Sequence, residues 1–419
     1  MLSTRVKIFF LFLGDLIIFS TALLLANWIK FGTALYQKEF IISIKYFAVV
    51  FSIWFLLFFI SRLYELPYLR NRKEFFVLAL KLFIVGALLS LLIFIIWTPQ
   101  YVPKVVLFLT LCFSLIGLTL WRTIFNFLVV IPKVPVLLLE EAPEREYLEK
   151  FIRENPQLGY YLAGKEDIRP GQKCIVVTNN TSEHLFPNNK NIIFMHFGDF
   201  YEQITQTVPL SQLNEEFFKK NYKYNIVYEF IKRICDIIGG IILLIISLPL
   251  WLIIALLIKI TSEGPVLYRS KRVGLHQKDF LIYKFRTMVK DADKIGPAWT
   301  LKNDTRITWF GKLLRKTHLD ELPQVLNIIK GDTSFIGPRP EEKKLVELFK
   351  KEIPFYEKRF LIKPGIVGWA QINYPHGSSV EDAKHKLEYD FYYLKHRSLI
   401  FDFLIAVKAW RIPFEIPTH

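Results

Sequence analysis

The sequence predicts a membrane protein that is mainly α-helical. A four-helix transmembrane bundle is expected over residues 1–132, a small α/β domain over 133–218, and a membrane-attached helical domain over 219–419. Three observations carry that prediction. Four apolar runs, each about the 20 residues needed to cross hydrocarbon, fill the first third of the chain. The composition is 52% hydrophobic with 38 Phe, high for a water-soluble enzyme, yet the net charge is +16. A fifth apolar run, Ile237 to Ile258, lies between two basic clusters and contains a proline.

The four runs are Val6 to Trp28, Ile41 to Ile60, Phe75 to Trp97 and Val105 to Ile131. The first is too long, and has the wrong flanks, for a cleaved signal peptide. Each contains a polar exception within its apolar stretch: Asp15, Lys45, Lys81 and Arg122. A charge at mid-membrane costs about 2.5–3.5 kcal/mol, so these side chains should face protein or snorkel. Arg5, Lys7, Arg62, Arg70, Arg72 and Lys73 sit at the N-terminus and in the second loop, against Lys30, Lys38 and Lys104 in the other two. The positive-inside bias therefore predicts four spans with both ends in the cytoplasm.

A greasy and basic chain suits anionic lipid headgroups or polyanionic substrates, and the apolar load argues against nucleic acid. The three cysteines, Cys112, Cys174 and Cys235, match no zinc or disulfide spacing, which fits a reducing compartment.

From about Lys133 to Phe218 the pattern turns soluble. Val134 to Leu139 and Cys174 to Thr178 read as buried strands, and Pro143 to Arg153 as a charged helix. This is part of the pattern of a nucleotide-binding α/β unit. The turn after the first strand is Glu140-Glu141-Ala142-Pro143, however, where a phosphate cradle needs glycines. The expected role is structural or regulatory.

The fifth run is long enough to cross, and a fifth transmembrane helix is the plain reading. Its flanks favour another. Lys219, Lys220, Lys223, Lys232 and Arg233 precede it, and Lys259, Arg269, Lys271 and Arg272 follow, so a crossing would carry one cluster to the wrong side. Pro249 removes a helical hydrogen bond near the middle, and Ser247 could satisfy a freed carbonyl. A helix that enters and returns on one face, broken at Ser247 and Pro249, meets both constraints.

Polar landmarks follow in close order. They are Gly264-Pro265, Lys271-Arg272-Val273-Gly274, Tyr283 to Met288, Arg315 to Gln324 (RKTHLDELPQ), Gly331 to Pro340, Lys363 to Gln371, and Asp390-Phe391-Tyr392-Tyr393. Asp320 and Glu321 are adjacent carboxylates before a helix that Pro323 can open. Such a pair suits Mg²⁺, which takes one or two carboxylates plus phosphate oxygens. A carboxylate beside that metal can also attack phosphorus. Lys284, Arg286, Arg315, Arg339 and Lys363 could surround a diphosphate. Taken singly, an Asp-Glu pair is usually a solvated cap and a Gly-Pro-Arg-Pro turn a rigid loop. The succession is the specific feature.

With these motifs the chain resembles the bacterial polyprenyl-phosphate sugar-1-phosphate transferases, or monotopic phosphoglycosyl transferases, from Lys232-Arg233 to about Arg411. Over its full length it resembles their larger branch, in which four spans and a degenerate Rossmann-like α/β domain precede the catalytic part. Asp199 to Glu202 and Val208-Pro209-Leu210 also look like that branch. The resemblance implies a two-step reaction. Asp320 attacks the β-phosphate of a UDP-sugar and releases UMP, and undecaprenyl phosphate then takes the phosphosugar from the aspartate. Glu321 matches the partner carboxylate, with Mg²⁺, and Lys284, Arg315, Arg339 and Asp390 match active-site surroundings. It further implies a re-entrant helix at Pro249, the cytoplasmic face of the bacterial inner membrane, membrane lipids as partners, a homodimer, and UDP-glucose or UDP-galactose as donor for exopolysaccharide, capsule or O-antigen synthesis.

The chain departs from that pattern in places. Leu248 separates Ser247 from Pro249, Ser270 stands for a common glutamine, and Gln277 for a common glycine. Lys363 stands for the usual arginine, and Tyr374 follows Asn373 where glycine is frequent. Ile307 to Leu314 and Leu399 to Trp410 combine large apolar residues with Lys or Arg. They read either as helices lying in the membrane interface or as core helices.

Overall fold

The computed structural model describes residues 4–61, 63–64, 73–97, 104–128, 134–169, 171–179, 191–222, 224–290, 292, 304–374, 377 and 379–409. Arg62, Arg70 and Arg72 of the second loop, residues 129–133 and Trp410 lie outside them. The chain forms two compact units, Met1–Phe197 and Gly198–His419.

The first unit opens with α1 (Thr4–Ile60), a helical stretch of 57 residues broken at Gly32, whose φ of 62° and ψ of −165° are open to glycine. The two limbs pack side by side, Phe19 meeting Phe51, Trp54 and Phe58. The first two predicted runs are thus two limbs joined at one glycine. Helices α2 (Lys73–Trp97) and α3 (Lys104–Leu128) follow, and one apolar core joins all of them. Among the described residues Ile8–Gly32, Lys104–Phe125 and Ile226–Thr261 are long and apolar enough to cross a membrane, and the chain is membrane-associated and mainly helical.

Burial separates the four charges. Asp15 and Arg122 are buried and form an ion pair. Tyr64 Oη donates to Asp15 at 2.8 Å, and Arg122 Nη1 donates to Leu63 O. Lys45 and Lys81 are exposed.

The α/β part is a four-stranded parallel sheet of order β2-β1-β3-β4. Its strands are β1 (Val134–Leu138), β2 (Tyr160–Leu162), β3 (Cys174–Val177) and β4 (Ile192–Met195), with α4 (Arg145–Glu154) after β1. Both strands expected from apolar runs are present and wholly buried. At their C-terminal ends, where a parallel sheet would receive a phosphate, Glu140 Oε2 accepts from Asn179 N at 3.1 Å.

The second unit begins with α5 (Phe197–Thr205) and α6 (Glu215–Asn221). The sequence placed residues 198–218 with the α/β domain. In the structure Val208, Leu213 and Phe218 belong to the core of the second unit, beside Phe349, Phe360 and Phe391.

Helix α7 (Ile226–Thr261) has 36 residues and runs through Pro249 without being divided there, where the sequence expected a break. Ser247 Oγ donates to Leu244 O at 3.3 Å, so the hydroxyl serves a carbonyl other than that of Ile245, whose helical donor the proline removes. Its two ends pack on the same unit. In the first limb Arg233 donates to Ile328 O and Ile329 O at 2.6 and 2.7 Å. Asp236 Oδ1 accepts from Ser334 Oγ and Phe335 N. In the last limb Trp251 meets Phe285, while Ile254 and Ile258 are buried with Phe310 and Leu314. Between them Ile242, Ile245, Ile246 and Leu248 are exposed.

The hairpin β5 (Leu267–Val273) and β6 (Asp279–Phe285) follows α7. Gln277, where glycine is common in the family resembled, has the left-handed φ of 62° that suits glycine. The remaining elements are α8 (Trp309–Lys316), a 3-10 turn (Leu319–Gln324), α9 (Val325–Lys330), β7 (Ser334–Ile336), α10 (Lys343–Glu352), a 3-10 turn (Tyr356–Leu361), β8 (Gly365–Val367), α11 (Trp369–Asn373), α12 (Val380–His396) and α13 (Leu399–Ala409). Trp309 and Leu313 of α8 and Ile400 and Phe403 of α13 are exposed, while Phe310, Leu314 and Ile405 on the same helices are buried. Each helix thus has a core face and an apolar outward face.

Candidate active site

Asp320 and Glu321 occupy the first turn of the 3-10 segment Leu319–Gln324. The sequence placed them before a helix opened by Pro323. Instead Pro323 lies inside the 3-10 turn, α9 begins at Val325, and the dyad is set by tertiary packing more than by a helix end. The preceding helix α8 is anchored firmly. Thr308 Oγ1 caps it by accepting from Gly311 N, and Thr308 N donates to Thr287 O. His318 then turns the chain in a left-handed conformation (φ 55°), which delivers the two acids.

Glu321 is held by two cations. Lys284 Nζ of β6 and Arg339 Nη2 each lie 2.7 Å from its Oε1, and Arg339 Nη1 reaches Oε2 at 3.3 Å. Burial would raise the Glu321 pKa, but Arg339 and Lys284 hold it well below the usual carboxylate range. The Glu321 carboxylate in turn strengthens proton binding by Arg339. Burial lowers the pKa of Lys284, with Glu321 opposing and Arg339 assisting.

Asp320 contrasts with its neighbour. It is 8% exposed, and its carboxylate accepts no hydrogen bond from a described residue. Burial and then the Glu321 charge raise its pKa, against Lys284, Arg315 and His318. Two adjacent carboxylates are thereby pushed apart, one fixed as a clamped anion and one left with free lone pairs. Separations of this kind mark acid, base and nucleophile assignments.

The other expected cations divide. Arg315 donates through Nε to Thr287 Oγ1 at 2.8 Å and favours the ionised form of Asp320. Arg286 does not join the dyad: its Nη2 donates to Ser262 O and Ser262 Oγ, securing the exit of α7. Lys363 also lies elsewhere. Burial and then the Arg233 charge lower its pKa, and Asp236, Glu229 and Lys232 of α7 also act on it. Asp390 pairs with Arg359 Nη2 at 2.8 Å, and the same nitrogen donates to Arg339 O at 3.1 Å. Asp390 therefore acts through Arg359 on the backbone of Arg339. Burial, opposed by Arg359, pushes its pKa up to about 6.

Two features hold this arrangement, and the sequence singled out the glycine motifs of the second but not Asn327 of the first. Asn327 is fully buried, donates to Leu281 O and Asp332 Oδ2, and accepts from Tyr283 N. It ties α9 to the strand that presents Lys284. Gly337 and Gly365 let β7 and β8 touch: a Cβ on Gly365 would lie 2.1 Å from Gly337 N. That contact sets the turn carrying Arg339. The Asn327 role has no local sequence signature, because it depends on chain segments distant in sequence.

For a divalent cation, Asp320 offers a carboxylate that no described residue hydrogen-bonds, while both oxygens of Glu321 are engaged. Among the described residues no group of three or more His, Cys, Asp or Glu side chains is assembled. This donor set suits an ion completed by phosphate oxygens and water, as Mg²⁺ commonly is.

Comparison with known proteins fits this geometry. Residues 227–415 match the family model described as bacterial sugar transferase. A UDP-N-acetylgalactosamine-undecaprenyl-phosphate N-acetylgalactosaminephosphotransferase of Aeromonas hydrophila is 42% identical over 216 residues, 52% of this chain and 51% of that protein. A UDP-glucose:undecaprenyl-phosphate glucose-1-phosphate transferase of Escherichia coli (strain K12) is 39% identical over 43% of this chain and 39% of its own length. The chain thus spans about half or less of these two relatives. An exopolysaccharide production protein PSS of Rhizobium leguminosarum bv. phaseoli is 39% identical over 181 residues, 42% of this chain and 90% of that relative. With the dyad, its two clamping cations and this coverage together, the chain belongs to the bacterial sugar transferase family, the polyprenyl-phosphate sugar-1-phosphate transferases.

Proposed function

We propose that the protein transfers a hexose-1-phosphate from a UDP-sugar to undecaprenyl phosphate, at the cytoplasmic face of a bacterial inner membrane. The observation that carries this reading is Asp320, a buried carboxylate with no hydrogen bond from the described residues, beside a carboxylate clamped by Lys284 and Arg339. An Asp320 oxygen attacks the β-phosphorus, the bond from that phosphorus to the bridging oxygen breaks, and UMP leaves with the electron pair. A phosphate oxygen of undecaprenyl phosphate then attacks the same phosphorus and frees the aspartate. Covalent catalysis splits one difficult displacement into two easier ones.

Arg315 favours the ionised nucleophile, and Lys284 and Arg339 set positive charge beside the phosphoryl group in flight. Asp320 would hold Mg²⁺ together with donor phosphate oxygens, and the ion would supply charge neutralisation at the diphosphate. The α/β domain is read as structural or regulatory, its sheet end being closed by Glu140.

Helix α7 supports the membrane part of the reading. A straight 36-residue helix would extend about 54 Å, enough to leave the far side of a bilayer. Both of its ends nevertheless bear on the catalytic unit. Entry and return on one face meets that constraint and keeps charged phosphates at headgroup level, out of hydrocarbon. The outward apolar faces of α8 and α13 suit the same interface.

The test is a screen of UDP-sugars with undecaprenyl phosphate and Mg²⁺, scored by nucleotide release. UMP is the expected product. UDP would mean transfer of the sugar without its phosphate, and no release from any donor would end the transferase reading.

A further inference from the structure

A small cavity of about 60 Å³ lies among α10, the Tyr356–Leu361 turn and α12. Leu345 and Phe349 form part of its apolar wall, and Glu341, Arg359, Lys386 and Asp390 are polar members of its lining. These polar groups are unevenly satisfied. Arg359 is 6% exposed, and its Nε is buried with no partner among the described residues, although Nη1 donates to Tyr356 Oη and Nη2 to Asp390 Oδ2. Asp390 Oδ1 accepts from no described residue, and neither does the Glu341 carboxylate. Tyr356 Oη accepts from Arg359 and retains a proton to give. Buried donors and acceptors in native proteins are nearly always paired, so the orphaned Arg359 Nε calls for an acceptor, and Asp390 Oδ1 and the half-buried Glu341 carboxylate offer acceptors beside it.

The cavity is linked to the dyad through Arg339. Arg359 supports the Arg339 backbone, while the Arg339 side chain holds Glu321. Glu341, two residues beyond Arg339, lies within electrostatic reach of Arg339, Arg359 and Lys386 alike. Its size limits what can enter. The volume exceeds that of a single water site and accepts one edge of a pyranose ring.

We infer that this cavity is a sugar subsite. It takes a hydroxyl-bearing edge of the donor's hexose, with Asp390 and Glu341 accepting from hydroxyls and Arg359 Nε and Tyr356 Oη donating to them. The inference rests on the transferase reading, because the sugar is the group attached to the phosphorus that Asp320 attacks. The nucleoside lies one phosphate further off.

Full-length enzyme carrying Glu341→Gln or Leu345→Phe tests it; the first removes an acceptor charge and the second fills the apolar side. The KM for the accepted UDP-sugar is expected to rise about tenfold in each, with inhibition by UMP and the KM for undecaprenyl phosphate unchanged. Should a variant fail to fold, wild-type enzyme with monodeoxy analogues of the accepted donor gives a second measurement. At least one analogue should show a similar rise.

Unchanged donor KM in folded variants, or analogues that all match the parent donor, would overturn the inference and leave only a water-filled recess. UMP inhibition weakened in step with donor binding would assign the cavity to the nucleoside and overturn it as well. Either result would be obtained on an active enzyme, with the transferase reading intact. Wild-type enzyme that releases no UMP from any UDP-sugar would take both down.

Discussion

At the scale of single residues, the dyad shows how neighbours of one chemical type acquire different tasks. Asp320 and Glu321 are adjacent in the chain, yet Lys284 and Arg339 both reach Glu321. A raised folded-state pKa means that Asp320 contributes stability at pH below its unfolded value and loses it as pH rises through the folded value. Near neutral pH its ionised form is therefore a burden on the fold. Asp320→Asn should abolish UMP release without lowering the thermal midpoint at pH 7, and any gain should shrink below about pH 4. A variant with wild-type turnover would remove Asp320 from the chemistry.

Glu321 has the opposite linkage. Its depressed pKa gives stability that is present above the unfolded value and lost as pH falls through the folded one. Glu321→Gln leaves two cations without their anion, so chemical denaturation should show a loss of about 3 kcal/mol. An unchanged midpoint would mean that the clamp contributes nothing to the fold.

The dyad, Lys284 and Arg339 were legible in the sequence because their motifs are compact and ordered. Arg286, Lys363 and Asp390 were legible as charges but not as contacts. Their partners, Ser262, α7 and Arg359, are set by tertiary packing. Arg359 and Asn327 passed unnoticed because burial alone defines their roles.

At the scale of elements, hydrophobic periodicity identified the long helices and the two wholly buried strands. It missed β2 and β4, which have three and four residues and incomplete burial. It also placed a break at Pro249, whereas the helix continues and Ser247 bonds to Leu244 O. A proline removes one hydrogen bond, and the flanking turns of a long apolar helix can absorb that loss. What the sequence did convey, through basic flanks on both sides, is that the ends of α7 belong together. Phe230→Cys and Glu263→Cys, made in a background lacking Cys112, Cys174 and Cys235, should both react with a membrane-impermeant thiol reagent from the cytoplasmic side alone. Labelling of the two positions from opposite sides would contradict re-entry.

At the scale of the whole molecule, the proposed reaction brings a water-soluble donor and a lipid-borne acceptor to one nucleophile. An enzyme built for that needs apolar surface to hold it in the membrane and a polar site that stays out of hydrocarbon. The exposed apolar residues of α7, α8 and α13 provide the first, and the dyad with its cations provides the second. The net charge of +16 adds attraction to anionic lipid, about 1 kcal/mol for each basic residue near the surface.

The most direct test of this account is a single-turnover experiment without the lipid acceptor. Enzyme mixed with Mg²⁺ and the accepted UDP-sugar should release one UMP per active site and then stop. Peptide mass analysis should find a phosphosugar on the fragment containing Asp320, absent in Asp320→Asn. An enzyme that turns over with undecaprenyl phosphate, yet gives neither burst nor adduct without it, would contradict the covalent role of Asp320.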